Sequence, residues 1–262
     1  MNIIQSVILG IVEGITEFLP ISSTFHLIWT SRFLQLEQTE FVKLFEVFIQ
    51  GGAILAVVFL YTKEILNNRQ LFVKLILSFI PTAVVGFAMY KVIKGVFFER
   101  IDVITIAFFI VGIIFLIVEH LIQKNTIKID KNISKLSYKQ AVIVGLVQSL
   151  AVLPGVSRAG AVIIGMMILG YKRDESAKYS FMLAIPTILA ASVYDLYKMR
   201  EVVSQNTDQL GVLIVGFAVA FISAYIVIKW LIKYLQNNSL VLFGWYRIIA
   251  SIILLVVLWL YP

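Results

Sequence analysis

Residues 10–27 (GIVEGITEFLPISSTFHL) place two acids, a run of hydroxyls and an imidazole inside an otherwise apolar segment. Glu13 and Glu17 are four apart, so a helix projects both carboxylates from one face, a turn from each other. Two anions so close in an apolar setting need a cation or a shared proton, which makes a divalent metal such as Mg²⁺ or Ca²⁺ the expected cofactor, held by Glu13 and Glu17. Pro20 cannot continue the helix, and Ser22 stands where a second helix would be capped, with Ser23, Thr24 and His26 in its first turn. Ser23 and His26, three apart, form a hydroxyl and base pair at one helical turn's spacing. A helix N-terminus with its unpaired N–H groups suits a phosphate.

A second cluster lies at residues 152–160 (VLPGVSRAG). Arg158 is the lone charge between Gln140 and Leu169, and an arginine at membrane depth costs ~2.5–3.5 kcal/mol, so it needs an anionic partner. Its fork of donors matches a phosphate or diphosphate, or else a carboxylate of Glu13 or Glu17. Among other polar residues at depth, Glu46 and Gln50 either line a cavity or, in the case of Glu46, pair with Arg247; Glu119 and His120 read as anchors at a span end.

These clusters must be positioned by a membrane scaffold. The chain has 262 residues, of which 60% are hydrophobic and only 14% charged, and its mean hydropathy is +0.96. Such a composition belongs to an integral membrane protein. The net charge of +7 sits in short loops between apolar runs, an orientation signal rather than a nucleic-acid footprint. With no cysteine, thiolate chemistry and Cys-ligated metals are excluded. The N-terminus does not read as a signal peptide.

Six apolar runs, at about 41–61, 70–93, 101–123, 175–197, 209–235 and 239–261, are long enough to cross a bilayer. Two broken pairs are too short: 2–19 with 22–36, and 140–153 with 157–170. The layout is a repeat. Residues 19–23 (LPISS) match 153–157 (LPGVS), and 54–56 (ILA) match 188–190, both 134 positions on. Residues 10–13 (GIVE) meet 145–148 (GLVQ) one residue out of step, which sets Gln148 opposite Glu13. Three crossings per half invert the second half, so the expected fold is an all-α polytopic membrane protein with an inverted-topology repeat, two re-entrant helix pairs and six transmembrane helices. Residues 1–123 form the first repeat, 124–139 a lysine-rich cytoplasmic linker and 140–262 the second repeat, all in one membrane domain. Loop charges place both termini, and the opening of the site, outside the cytoplasm.

Residues 13–26 (EGITEFLPISSTFH) and 154–158 (PGVSR), together with 45–51 (FEVFIQG) and 195–198 (DLYK), resemble the bacterial undecaprenyl-diphosphatase family, the bacitracin-resistance phosphatases. The resemblance runs over essentially the whole chain. It implies hydrolysis of undecaprenyl diphosphate to the monophosphate carrier of cell-wall synthesis in the bacterial plasma membrane, with metal dependence. It also implies that Glu13 and Glu17 hold the metal or activate water, that Ser23 and His26 form the nucleophile or its base, and that Arg158 grips the diphosphate; Ser22, Thr24, Gln148 and Ser157 complete the expected substrate contacts. Phe25, Ala159 and Val162 stand where the family pattern has glycine, serine and threonine. The expected partners are the polyprenyl diphosphate, membrane lipid and a second copy of the chain. A polyprenyl-phosphate flippase or anion transporter on the same fold is the alternative.

Overall fold

A computed structural model describes residues 1–92, 100–206 and 209–260, with the side chains of 91–92 and 203–205 outside the description. The last residues of the spans read at 70–93 and 239–261 therefore lie outside it. The described residues form helices and no strands: α1 (Ile3–Thr16), α2 (Ser23–Phe33), α3 (Glu40–Asn67), α4 (Arg69–Val92), α5 (Ile101–Gln123), α6 (Tyr138–Ser149), α7 (Arg158–Ile168), α8 (Arg173–Lys198), α9 (Arg200–Gln205), α10 (Leu210–Asn237) and α11 (Val241–Leu260), joined by turns. Six of them, α3, α4, α5, α8, α10 and α11, are long and apolar enough to cross a membrane. The chain is a multi-pass membrane protein, and the apolar runs are those read from the sequence.

The first helix of each short pair, α1 and α6, begins with a capping box, Asn2 with Gln5 and Ser137 with Gln140, which satisfies its first N–H groups. α1 stops at Thr16, four residues ahead of Pro20, because a run of turns carries the chain through residues 17–21 before α2 opens. α6 runs into a 3₁₀ turn at Leu150–Val152 before the second break. At each break a serine adopts a left-handed backbone, φ 66° at Ser22 and 75° at Ser157, and a helix starts at the next residue. This conformation is costly for a residue with a Cβ and marks both tips as tightly determined.

Each short first helix packs on a long helix from the other half of the chain. α1 lies along α10, and α6 lies along α4, while α3 packs on α8 and α5 on α11. The close approach depends on glycine: a Cβ at Gly14 would stand 2.5 Å from the Ala220 carbonyl oxygen, and one at Gly145 would stand 2.2 Å from that of Ser78. The contacts are reinforced by Ser6 Oγ donating to Val212 O (2.7 Å) and Ser78 Oγ donating to Ala141 O (2.7 Å).

Two charges read from the sequence have partners other than those expected. Glu119 is more than a span-end anchor. It receives both Arg173 Nε (2.8 Å) and Arg173 Nη2, and its Oε1 also accepts the Leu240 N–H (2.7 Å), which ties the ends of α5, α8 and α11 together. Arg247 does not pair with Glu46, whose Oε1 accepts from Ser31 Oγ (3.1 Å) instead. Arg247, fully buried, donates to the carbonyls of Phe108 (3.1 Å), Pro20 (3.0 Å), Gly155 (2.7 Å) and Val156 (3.2 Å). The breaks in the two short pairs leave the carbonyls of Pro20, Gly155 and Val156 without helical partners, and one guanidinium supplies donors to both breaks while Nε anchors it to Phe108 O within α5.

Candidate active site

The two tips meet. Arg158, the first residue of α7, donates from Nη2 to Glu17 Oε1 at 2.9 Å, and Ser23, the first residue of α2, donates from Oγ to Glu17 Oε2 at 2.5 Å. One carboxylate thus joins a hydroxyl from its own tip to a guanidinium from the other. Arg158 Nη1 is held by Ser180 O (2.8 Å) on α8, its guanidinium lies over the Phe18 ring, and its Nε has no partner. The fork is held in place with donor capacity left over.

The tips open onto a cavity of about 540 Å³. Glu17, Ser22, Ser23, Thr24, Ser157 and Arg158 form its polar end, and Phe79, Phe87 and Tyr194 are among the residues of its apolar walls. A volume of this order falls in the range of small-molecule sites. Of the expected contacts, Ser157 uses its Oγ to cap α7 by accepting the Gly160 N–H (3.1 Å), whereas Ser22 makes no side-chain cap.

Glu13 lies one turn behind Glu17, fully buried, off the cavity wall, with neither oxygen hydrogen-bonded. An orphaned, buried carboxylate is the donor set a hard cation or a proton completes. Glu17, in contrast, has both oxygens engaged. Among the described residues no group of three or more His, Asp or Glu side chains converges, so a cation here would draw its remaining ligands from the substrate and water.

His26 is not brought to Ser23. Its Nδ1 lies 2.8 Å from Ser22 O and its Nε2 lies 2.6 Å from the hydroxyl of Tyr246, against whose ring it also stacks. A carbonyl only accepts, so Nδ1 carries the proton and Nε2 accepts from Tyr246. Both nitrogens are therefore occupied, and the side chain of Ser23 has already turned to Glu17. Phe25, in the place of the expected glycine, stacks on Phe108 with ring centroids 3.9 Å apart, and Ala159 and Val162 are buried in the packing of α7.

Three site residues escaped the sequence. Thr82 and Thr187 both receive Gln148 Nε2, at 2.8 and 3.3 Å. Each follows a proline inside a long helix, and residues 80–82 and 185–187 both read IPT, a repeated tripeptide that would have pointed to them. Tyr246 gave no comparable signal among many interfacial aromatics.

The family model described as bacitracin resistance protein BacA matches residues 6–253. The undecaprenyl-diphosphatase of Sulfurihydrogenibium sp. is 49% identical over 97% of this chain and 98% of its own length. Those of Aquifex aeolicus (44%; 95% of this chain and 96% of its own) and Campylobacter hominis (45%; 96% and 97%) are similar over the same extent. With nearly every residue of the chain and of these relatives aligned, and both tips inside the match, the chain belongs to the bacitracin resistance protein BacA family.

Proposed function

We propose that this membrane enzyme hydrolyses undecaprenyl diphosphate to undecaprenyl phosphate and phosphate, returning the lipid carrier to cell-wall synthesis and giving bacitracin resistance. The observation that carries the reading is Glu17 joined at once to Ser23 and Arg158 at the polar end of the cavity. In the resting state the guanidinium is paired with the carboxylate. A diphosphate arriving in the cavity competes for that fork and frees Glu17 to act as a base toward the hydroxyl already hydrogen-bonded to it. Ser23 Oγ then attacks the terminal phosphorus as its proton passes to Glu17. The bond to the bridging oxygen breaks, its electron pair leaves with the polyprenyl monophosphate, and the phosphoryl group rests on Ser23.

Arg158 and the N–H groups that open α2 and α7 offset the negative charge on the phosphoryl oxygens. Ser22, Thr24 and Ser157 line the same end, with Gln148 on the wall. Glu13, with Glu17, would hold a divalent cation, Mg²⁺ or Ca²⁺, which when bound supplies charge neutralisation to the diphosphate. His26 acts through the tip rather than on the nucleophile, holding the carbonyl of strained Ser22.

The same reading includes two re-entrant pairs in an inverted-topology repeat. It is supported by the exchange of α1 and α6 between halves, by the left-handed serines 135 positions apart and by Arg247 holding carbonyls of both breaks. The lysines and arginines clustered where α3 meets α4, α5 meets α6, α7 meets α8 and α10 meets α11, several of them on the helix ends, support a cytoplasmic position for those turns, with both termini and the mouth of the site outside.

The test is phosphate release from undecaprenyl diphosphate by the purified protein in detergent, with and without a chelator. Release that is lost in Arg158→Ala and Glu17→Gln supports the enzyme. No release from the wild type, with lipid translocation in vesicles, would establish a carrier instead.

A further inference from the structure

Gln148 presents an acceptor with nothing to accept from. Thr82 and Thr187 each possess one O–H, and each donates it to a main-chain carbonyl: Thr82 Oγ1 to Gly145 O (3.1 Å) and Thr187 Oγ1 to Leu183 O (2.8 Å). A hydroxyl whose proton is used can only accept, so the side of the amide facing the two threonines must be its NH₂. The opposite assignment would crowd three acceptors together, which settles the amide by hydrogen-bond inventory rather than by fit. Oε1 is thereby turned away from the threonines. It is buried and without a partner, although Gln148, Thr82 and Thr187 all line the cavity. An unsatisfied buried acceptor costs about 1–3 kcal/mol. The ionised oxygens of a diphosphate are acceptors and leave it unsatisfied, whereas a water molecule supplies the missing O–H.

We infer that Gln148 is a positioning residue for the hydrolytic water, with Oε1 accepting one of that water's hydrogens and Thr82 and Thr187 locking the amide. The inference rests on the reading of Ser23 as nucleophile. In the step concerned the water oxygen forms a bond to the phosphorus on Ser23, and the bond from phosphorus to Oγ breaks with its electron pair returning to Oγ. Oγ takes the proton that Glu17 accepted earlier. The water contributes both its hydrogens, one staying on the attacking oxygen and one moving to a phosphoryl oxygen, so the product leaves as dihydrogen phosphate.

The experiment is the kinetics of Gln148→Leu in the full-length protein in detergent, with mass spectrometry of acid-quenched samples. Loss of water alignment lowers kcat about 10²-fold, leaves kcat/KM near the wild-type value because the first chemical step is untouched, and lets phosphoserine accumulate at Ser23. Absence of phosphoserine, or a kcat/KM that falls with kcat, overturns the inference. So does a rise in KM alone, which would make the amide a substrate grip, or a kcat restored by excess Mg²⁺, which would make it a cation ligand. If Gln148→Leu does not survive purification, the double variant Thr82→Val/Thr187→Val decides: it keeps Gln148 but unlocks it, and should accumulate the same phosphoserine, with Thr82→Ser/Thr187→Ser restoring turnover. A wild type that releases no phosphate defeats the underlying reading. A wild type that turns over alongside an equally active Gln148→Leu defeats this inference alone.

Discussion

Arg158 Nη2 and Glu17 Oε1 stand 2.9 Å apart across 141 positions of sequence, each nearly shielded from solvent. The pair joins the second break of the chain to the first, and in the proposed reaction a diphosphate displaces it. Arg158→Lys keeps a positive charge but loses the fork that bonds Glu17 and Ser180 O together. Lysine is expected to raise KM with a smaller loss of kcat, and Arg158→Ala to lower kcat/KM by about 10²–10³-fold. Steady-state phosphate release measures both, and equal kinetics for Arg158→Lys and wild type would remove the fork from the mechanism.

The Ser23 hydroxyl is hydrogen-bonded to Glu17 and to no imidazole. Ser23→Ala should abolish phosphate release while leaving substrate binding in a filter or fluorescence assay. His26→Asn keeps an N–H in the position of Nδ1 toward Ser22 O. It should retain more activity than His26→Leu, whose side chain offers no donor. If His26 were the base, Asn and Leu would be equally inactive.

Among the described residues Glu13 is the buried carboxylate without hydrogen-bond partners, so Glu13→Gln should remove the response to divalent cation more completely than it alters the fold. Titration of Mg²⁺ or Ca²⁺ into chelator-treated protein, read by phosphate release, is expected to restore the wild type. The variant should respond weakly at any concentration. A normal titration curve for Glu13→Gln would place the cation elsewhere.

Arg247 bonds four carbonyls, two of them flanking the second break and one in the first. Arg247→Met leaves the break carbonyls of Pro20, Gly155 and Val156 buried and unpaired, at about 1–3 kcal/mol each. A clear fall in the thermal midpoint in detergent is expected, with loss of activity. A variant as stable as the wild type would show that the tips hold without it.

Gly14 lets α1 lie against α10, and an added Cβ would meet the Ala220 carbonyl at 2.5 Å and Ser223 Cβ at 2.6 Å. Gly14→Ala should destabilise by about 1–3 kcal/mol as the helices part. It should also lower kcat, since Glu13 and Glu17 ride on that helix. Gly211→Ala, at a position with open space around the added carbon, is the control and should leave the midpoint unchanged.

The six spans, the two breaks and the motif acids were legible because they depend on local quantities: the length of apolar runs, the proline that cannot continue a helix, and the cost of a charge in an apolar segment. Those same costs required Arg158 to find an anion. The choice of Glu17 over Glu13 required the tertiary structure, because both carboxylates satisfy the sequence equally and only the approach of α7 distinguishes them. Arg247 shows the limit most plainly. Its charge suggested Glu46, but its partners are main-chain carbonyls, which every residue carries and no sequence pattern marks. His26 and Ser23 share a helical face by spacing, yet the first residue of α2 turns toward Glu17 while the imidazole folds back to Ser22. Spacing along one helix determines which side chains can be neighbours; the elements packed from elsewhere in the chain decide which hydrogen bonds they make.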